Sequence, residues 1–272
     1  MGTLYLVSTP IGNLEDITLR ALRVLRESAL VAAEDTRTAR KLLTHYGISA
    51  RVISYNEHNM RTRTPELLAA LETGDVALVS EAGTPGVSDP GYELAIAAIA
   101  TGYKVSPVPG PAAVIAALTA SGLPMRQFTF LGFLPRRSKE RRDLFTGMAR
   151  EQRTLVFFES PHRLQAALED LQAALGERRL AVCRELTKLY EEVFRGTVAE
   201  AIAHFTQPRG EFTIVVEGAS DIPVAVTDDT LREALRTLRE AGASARDAAS
   251  QVARETGVSR RRVYALSLEE DG

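Results

Sequence analysis

The sequence predicts an α/β protein built from two successive α/β sets, with a small all-helical segment after them. Three observations predict it. Short apolar runs alternate with helix-length amphipathic segments from residue 4 onward, the pattern of a mostly parallel sheet covered on both faces. Gly122-Leu123-Pro124 breaks that alternation before a second set of runs begins. Beyond Ile222-Pro223-Val224, which reads as a linker, only helical periodicity remains.

The elements follow in order. The first set has strands at 4–8, 30–33, 51–54, 76–79 and 104–108, and helices at 18–27, 36–46, 64–72, 91–101 and 112–121. Thr18 and Thr36 stand where a hydroxyl caps the free amides of a first helical turn. The alanine-rich stretch 95–100 suits a helix packed closely on the sheet. The second set has strands at 128–132, 154–159, 180–184, 192–196 and 211–217, with helices near 138–150, 162–175 and 198–204. The connection from 184 to 192 is too short for a parallel crossover, so that pair is antiparallel and the second sheet mixed. Helices at 229–241, 245–256 and 259–268 complete the chain, with Gly257 separating the last two. The expected division is a first α/β domain at 1–122, a second at 123–222 and a helix-turn-helix-like tail at 223–272.

Composition removes several classes of function. A chain of 272 residues that is 45% hydrophobic can form two modest cores. A net charge of −2 argues against a surface coated in nucleic acid, so any such contact is local. A lone cysteine, Cys183, forbids an internal disulfide and fits a reducing cytoplasm. His45, His58, His162 and His204 are scattered, which argues against a zinc or di-metal site. The first residues read as a strand rather than a signal peptide, and no apolar run reaches the ~18 residues of a membrane span. A P-loop, a dinucleotide fingerprint and a nucleophile elbow are all missing.

What stands out instead is Ser80-Glu81-Ala82-Gly83-Thr84-Pro85-Gly86-Val87-Ser88-Asp89-Pro90-Gly91, between a strand and a helix. An ordinary βα connection is about half that length, at ~2–6 residues. Its glycines bare the backbone to a ligand and its prolines fix its path. Loops at the carboxyl ends of parallel strands bind ligands in open α/β sheets. Four other such loops carry polar clusters: Ser8-Thr9-Pro10-Ile11-Gly12-Asn13, Glu34-Asp35-Thr36-Arg37, Asn56-Glu57-His58-Asn59 and Pro107-Val108-Pro109-Gly110-Pro111-Ala112. The first and last are rich in bare backbone, and the middle two carry ionisable groups. That division points to a cofactor held by main chain beside a polar, reactive side. A plain alternative is that Glu34, Asp35 and Arg37 cap a helix and pair with one another.

These residues resemble a known family. The run from Leu4 to Thr18, then Ala33-Glu34-Asp35-Thr36-Arg37, the Gly/Pro loop and Pro109-Gly110-Pro111 look like the tetrapyrrole methylase superfamily. Within it they are similar to the ribosomal branch, ribose-2′-O-methyltransferases that modify a cytidine of small-subunit (16S) rRNA. Glu159-Ser160-Pro161-His162-Arg163 and Arg184-Glu185-Leu186-Thr187-Lys188 extend the resemblance, which covers about residues 3–218. Small-molecule members typically begin with a Gly-Ala-Gly-Pro-Gly-Asp type of loop, where this chain has residues 8–13. Glu81 is a departure, since the family more often has Asp there.

The resemblance implies a cleft between the two α/β domains that binds S-adenosylmethionine as methyl donor. It implies donor contacts at Pro10, Ala82, Gly83, Thr84, Pro85, Val87, Ser88, Pro109 and Ala112, with Leu134, Glu211, Phe212 and Thr213 from the second domain. Leu134 is equally a core residue by its character. Methyl transfer to a ribose hydroxyl needs alignment, and gains from a proton acceptor or a cation beside the emerging alkoxide. Glu34, Asp35, Glu57, His58, Glu185 and Lys188 are the candidates, unranked. RNA phosphates have two candidate sites. One is Arg136, Arg137, Lys139, Arg141 and Arg142; the other is Arg260, Arg261 and Arg262, within a stretch from 246 to 264 that carries +3. The resemblance also implies a homodimer, with ribosomal RNA or the assembled small subunit as partner. Two other readings remain open at this point. One is a methylase of a small tetrapyrrole-like substrate, disfavoured by the first loop and the tail. The other is a nucleic-acid-binding regulator, which leaves the α/β domains unexplained.

Overall fold

The computed structural model describes residues 1–220, 228–240, 243–256 and 258–269. The chain forms two compact units, Met1–Ala219 and Ser220–Gly272. The first unit opens with β1 (Thr3–Val7), α1 (Leu19–Glu27), β2 (Leu30–Ala33), α2 (Thr36–His45) and β3 (Val52–Ser54). It continues with α3 (Met60–Thr73), β4 (Val76–Val79), α4 (Tyr92–Ala100), β5 (Lys104–Val108) and α5 (Ala113–Ser121). The five strands make one all-parallel sheet in the order β3-β2-β4-β1-β5. Every residue of β2 and β4 is buried, as expected for interior strands covered on both faces. Pro107 lies in β5, an edge strand, where a missing amide breaks no ladder. Helices α1 and α2 bury Val24, Leu25, Leu42 and Leu43 against one face. Helices α3 and α4 bury Leu67, Leu71, Leu94 and Ala98 against the other.

The second half supplies β6 (Phe128–Phe133), α6 (Ser138–Gly147), β7 (Thr154–Glu159), α7 (Leu164–Leu175) and β8 (Arg179–Arg184). It closes with β9 (Glu192–Thr197), α8 (Val198–His204) and β10 (Phe212–Val216). This sheet runs β6-β7-β10-β8-β9 and is mixed: β6 and β7 are parallel and the remaining pairs antiparallel. The β8–β9 pair is antiparallel, as its short connection requires. Helices α6, α7 and α8 cover one face. The other face is covered by α5, whose Val114, Ala117 and Leu118 meet Val156, Ala181, Cys183 and Val215.

Local chemistry explains where two helices depart from expectation. Asp35 rather than Thr36 caps α2, its carboxylate accepting from the Arg37 amide at 2.7 Å. Thr18 caps α1 as anticipated, accepting from the Ala21 amide at 3.1 Å. Helix α3 starts at Met60 instead of Thr64 and carries Pro65 inside it. Pro65 removes a single amide, and Asn56 accepts from the Met60 amide at 2.9 Å to start the earlier turn.

The second unit contains α9 (Asp228–Glu240), α10 (Ala245–Thr256) and α11 (Arg260–Glu269). They share a core of Leu231, Leu235, Ala248, Ala249, Val252, Val263 and Leu266. The expected linker at 222–224 and the separating Gly257 lie outside the described residues. Among the described residues no helix is long and apolar enough to cross a membrane.

Candidate functional site

The carboxyl ends of β1, β4 and β5 deliver three loops that join. The Thr9 amide donates to the Gly83 carbonyl at 2.9 Å, and the Gly83 amide returns a bond to Thr9 at 3.0 Å. Ser8 Oγ and Thr84 Oγ1 lie 2.9 Å apart. Gly83 holds φ +75°, a conformation that a glycine adopts without strain. A Cβ there would stand 3.5 Å from Ile11 and 3.9 Å from the Pro111 carbonyl, between the three loops. Thr9 Oγ1 is buried without a hydrogen-bond partner among the described residues.

The second sheet reaches this edge at two places. Ser88 Oγ lies 3.3 Å from where a side chain on Gly132 of β6 would begin, so the Gly/Pro loop rests on that strand. The loop joining β8 to β9 lies against the first loop. Thr187 Oγ1 accepts from the Asn13 amide at 3.1 Å, and the Lys188 stem leaves no room for a Cβ at Gly12. Among the described residues the non-glycine positions with positive φ are Ser88 (66°), Glu185 (50°) and Thr187 (68°), all in these two loops. Such strain persists where the surroundings over-determine the backbone, and it gathers at functional sites.

The ionisable candidates separate by environment. Lys188 Nζ donates to Glu185 at 3.0 Å and to Glu211 at 2.9 Å. Burial acts to lower its pKa, but the two carboxylates outweigh it and the ammonium is favoured. Burial likewise acts to raise Glu185, but the Glu211 amide and Lys188 hold it below the usual range. Glu34 is raised, chiefly by burial, although its carboxylate accepts from the Glu81 amide at 3.1 Å. Asp35 is committed to the α2 cap and to Arg37, whose bonds hold its pKa at about 2. Glu57 and His58 are exposed on the loop after β3. Asp89 was no candidate, yet burial and the neighbouring Glu34 charge push it up to about 7. Its position in the Gly/Pro loop is the one sequence signal that pointed toward it.

Several proposed donor contacts collect here and others do not. Ala82, Gly83, Thr84, Pro85, Val87 and Ser88 share the Gly/Pro loop; Pro10, Pro109 and Ala112 lie on the loops beside it. Thr213 is buried on the α5-facing side of β10, whereas the Phe212 ring belongs to the opposite core. The Glu211 carboxylate is held by Lys188. Leu134 has its side chain in the same core as Phe212, and its carbonyl accepts from Arg163 at 2.6 Å, so it turns away from a ligand. Arg163 in turn pairs with the buried Glu159 at 2.7 Å.

The basic run after β6 is not a uniform phosphate-facing surface. Arg141 is only 3% exposed and donates to Asp170 at 2.8 Å and to the Pro135 carbonyl at 3.3 Å. It is a structural cation, which corrects its place among the RNA contacts. Arg142 lies 3.6 Å from the same Asp170, and Arg137 pairs with Glu140 at 3.2 Å. Arg136 and Lys139 are exposed. In the helical unit Arg260 and Arg261 are exposed, and Arg262 pairs with Asp228 at 2.8 Å. Among the described residues no group of three or more His, Cys, Asp or Glu is placed to hold a metal ion.

A parallel sheet and a mixed sheet, meeting at strained loops over the parallel strands' carboxyl ends, define a two-domain α/β methyltransferase. Residues 3–202 match the Tetrapyrrole (Corrin/Porphyrin) Methylases, and the chain belongs to that family. Residues 224–271 match the RsmI C-terminal HTH domain. Among similar proteins is the Ribosomal RNA small subunit methyltransferase I of Synechocystis sp., 50% identical over 275 residues, covering 99% of this chain and 98% of the relative. The protein of that name from Escherichia coli O157:H7 is 45% identical over 279 residues, covering 100% and 96%. Its Thermotoga maritima counterpart is 49% identical over 221 residues, covering 80% of this chain and 99% of itself. Among solved structures, a uroporphyrin-III-C-methyltransferase from Thermus thermophilus has TM-score 0.55 at 26% identity, covering 79% of this chain and 94% of that one. The methyltransferase CobJ, at 20% identity and TM-score 0.62 over 80% of this chain and 95% of its own, shares the fold.

Proposed function

We propose that the protein methylates the 2′-hydroxyl of a cytidine ribose in small-subunit (16S) ribosomal RNA. Family membership makes the chain an S-adenosylmethionine-dependent methyltransferase. Its relatives across nearly the full length are named for small-subunit ribosomal RNA. The chain's own residues fit the donor. Thr9 Oγ1 is a buried hydroxyl unpaired among the described residues, and Gly83 keeps a bare backbone between three loops. Residues 10, 82–85, 87, 88, 109, 112 and 213 would hold it; when bound it supplies an electrophilic methyl on a sulfonium.

The observation that carries the ribose reading is Lys188. It is a cation fixed by two carboxylates against the loop after β1, beside the loops that would hold the donor. A ribose hydroxyl is a weak nucleophile, and an ammonium at its oxygen stabilises the alkoxide that develops as the proton leaves. Among the candidate acids read from the sequence, Glu34, made more basic than an ordinary carboxylate, is the one suited to take that proton. The committed pairings of Asp35 and Glu185 leave them as supports. In this reading residues 1–122 and 123–222 are the catalytic domains and 223–272 an accessory one. The protein would work in the cytoplasm, where small subunits are assembled. Tyr92, Ile96 and Ile99 form an apolar stripe on α4, at 66%, 49% and 59% exposure, which supports a homodimer in which a second copy covers it.

The test is methyl transfer from labelled donor to small subunits that lack the modification, with mass mapping of the product. A single 2′-O-methylcytidine is expected. Lys188→Met should cut kcat by roughly 100-fold, the loss typical of one oxyanion-stabilising donor, with donor affinity kept. Methyl on a base, or transfer only to a tetrapyrrole, overturns the reading.

A further inference from the structure

The charges of the first sheet's two helical layers are unequal. Helices α1 and α2 pack on the same face and carry Arg20, Arg23, Arg26, Arg37, Arg40 and Lys41 against one acid, Glu27. Helices α3 and α4, on the other face, carry Arg61 and Arg63 against Glu66, Glu72 and Glu93. One layer is therefore +5 and the other −1, on a chain whose net charge is −2. All six cations are exposed. Arg23 is spent on Glu27 at 2.6 Å and Arg37 on Asp35 at 2.9 Å. Among the described residues Arg26, Arg40 and Lys41 enter no ion pair. An open depression of about 460 Å³ on α2 is lined by Arg37, Arg40, Lys41, Thr44 and His45.

This layer starts at the site. Helix α2 begins two residues after Glu34, whose carboxylate holds the Glu81 amide of the Gly/Pro loop. At about 1.5 Å per residue, its cations extend along the helix to roughly 8 Å beyond its first residue. A row of unpaired cations leading from a reactive carboxylate fits a polyanion that continues past the reacting group. It does not fit a compact substrate. The Thermotoga maritima relative is matched over 99% of its length by 80% of this chain, a shortfall about equal to the helical unit, so that shorter protein has less room for an RNA-holding appendage.

We propose that the α1–α2 layer is the phosphate-binding face that carries the RNA strand flanking the target nucleotide, with Arg40 and Lys41 as its central contacts. The inference rests on the ribosomal RNA reading and adds to it the surface that holds the substrate. Phosphate contacts position the strand without reading its sequence.

The test compares full-length wild type, Arg40→Ala/Lys41→Ala and, as control, Arg61→Ala/Arg63→Ala on the opposite layer. Polyuridylate binding is measured from 0.05 to 0.3 M salt, and S-adenosylmethionine binding by calorimetry. Losing two phosphate contacts should make the plot of log K against log salt shallower by about 1.4 and weaken binding roughly tenfold or more at 0.1 M. Donor affinity and the control should match wild type. An unchanged slope in Arg40→Ala/Lys41→Ala overturns the proposal. So does an equal loss in the control, which would make the effect one of net charge. Methyl transfer by wild type to small subunits is scored separately, so failure of the ribosomal reading is seen apart from failure of this surface.

Discussion

Asp89 shows how one residue couples the Gly/Pro loop to pH. Its carboxyl is half-buried beside Ser80, Glu34 and Glu81, and its pKa is pushed from 3.8 to about 7. Between those values the folded chain keeps a proton that the unfolded chain has lost. Its contribution to stability is complete below about pH 4 and disappears as pH rises through 7. Melting temperature should therefore fall from pH 6 to pH 8, and Asp89→Asn should flatten that slope. Identical slopes in the two proteins would show that the carboxyl is not shielded as described. Gly83 makes a second point at this scale. Valine there meets a φ of +75° as well as Ile11 and the Pro111 carbonyl, so Gly83→Val should weaken donor binding at least about tenfold while circular dichroism stays native. Unchanged calorimetric affinity in the folded variant would remove the Gly/Pro loop from the donor site.

At the scale of elements, α6 divides a run of cations that looks uniform in sequence. Arg141 and Asp170 form a buried pair, 4% and 10% exposed at the side chain, that ties α6 to α7 and to the Pro135 turn. Asp170→Ala leaves that guanidinium buried with one partner lost, a change that costs about 3–5 kcal/mol. Arg137→Ala, at a position 83% exposed, should cost less than about 1 kcal/mol. Urea midpoints of the two variants check the contrast, and similar midpoints would contradict it. The positions of strands and helices were readable in advance because their periodicities of 2 and 3.6 mark each element locally. Which way a cation faces within 136–142 was not, since Asp170 is distant in sequence. The α1–α2 layer escaped notice for a related reason: its cations are spread over two helices, and apart from the pair Arg40-Lys41 they stand three residues apart within each. Nor does an apolar helix declare which sheet it will cover, and α5 crosses to the second. The length and bare backbone of the Gly/Pro loop were readable from composition, whereas the Lys188–Glu211 and Glu34–Glu81 bonds needed the fold.

At the scale of the molecule, the two sheets differ in how their strands are ordered. In the parallel sheet every strand precedes residue 109. In the mixed sheet the central strand, β10, comes last, paired to β7 on one side and β8 on the other. Until β10 is in place, the edges of β7 and β8 that it covers lack their partner, and the α5-facing core lacks Val215.

That order has a consequence for synthesis. A ribosome making this chain releases a complete first sheet about a hundred residues before the second can close, so α5 and the β6–β9 region would wait as exposed apolar surface. Such surface is where chaperones bind and where misassembly begins. A chain ending after Pro208 should resist protease over its first 108 residues and be cut between 123 and 208, whereas one ending after Ala219 should resist throughout both sheets. Equal resistance of the two truncations would mean that the second sheet holds together without its centre. If the expected contrast is seen, an enzyme proposed to methylate ribosomal RNA depends on the emergence of β10 from a ribosome before it can work on that RNA.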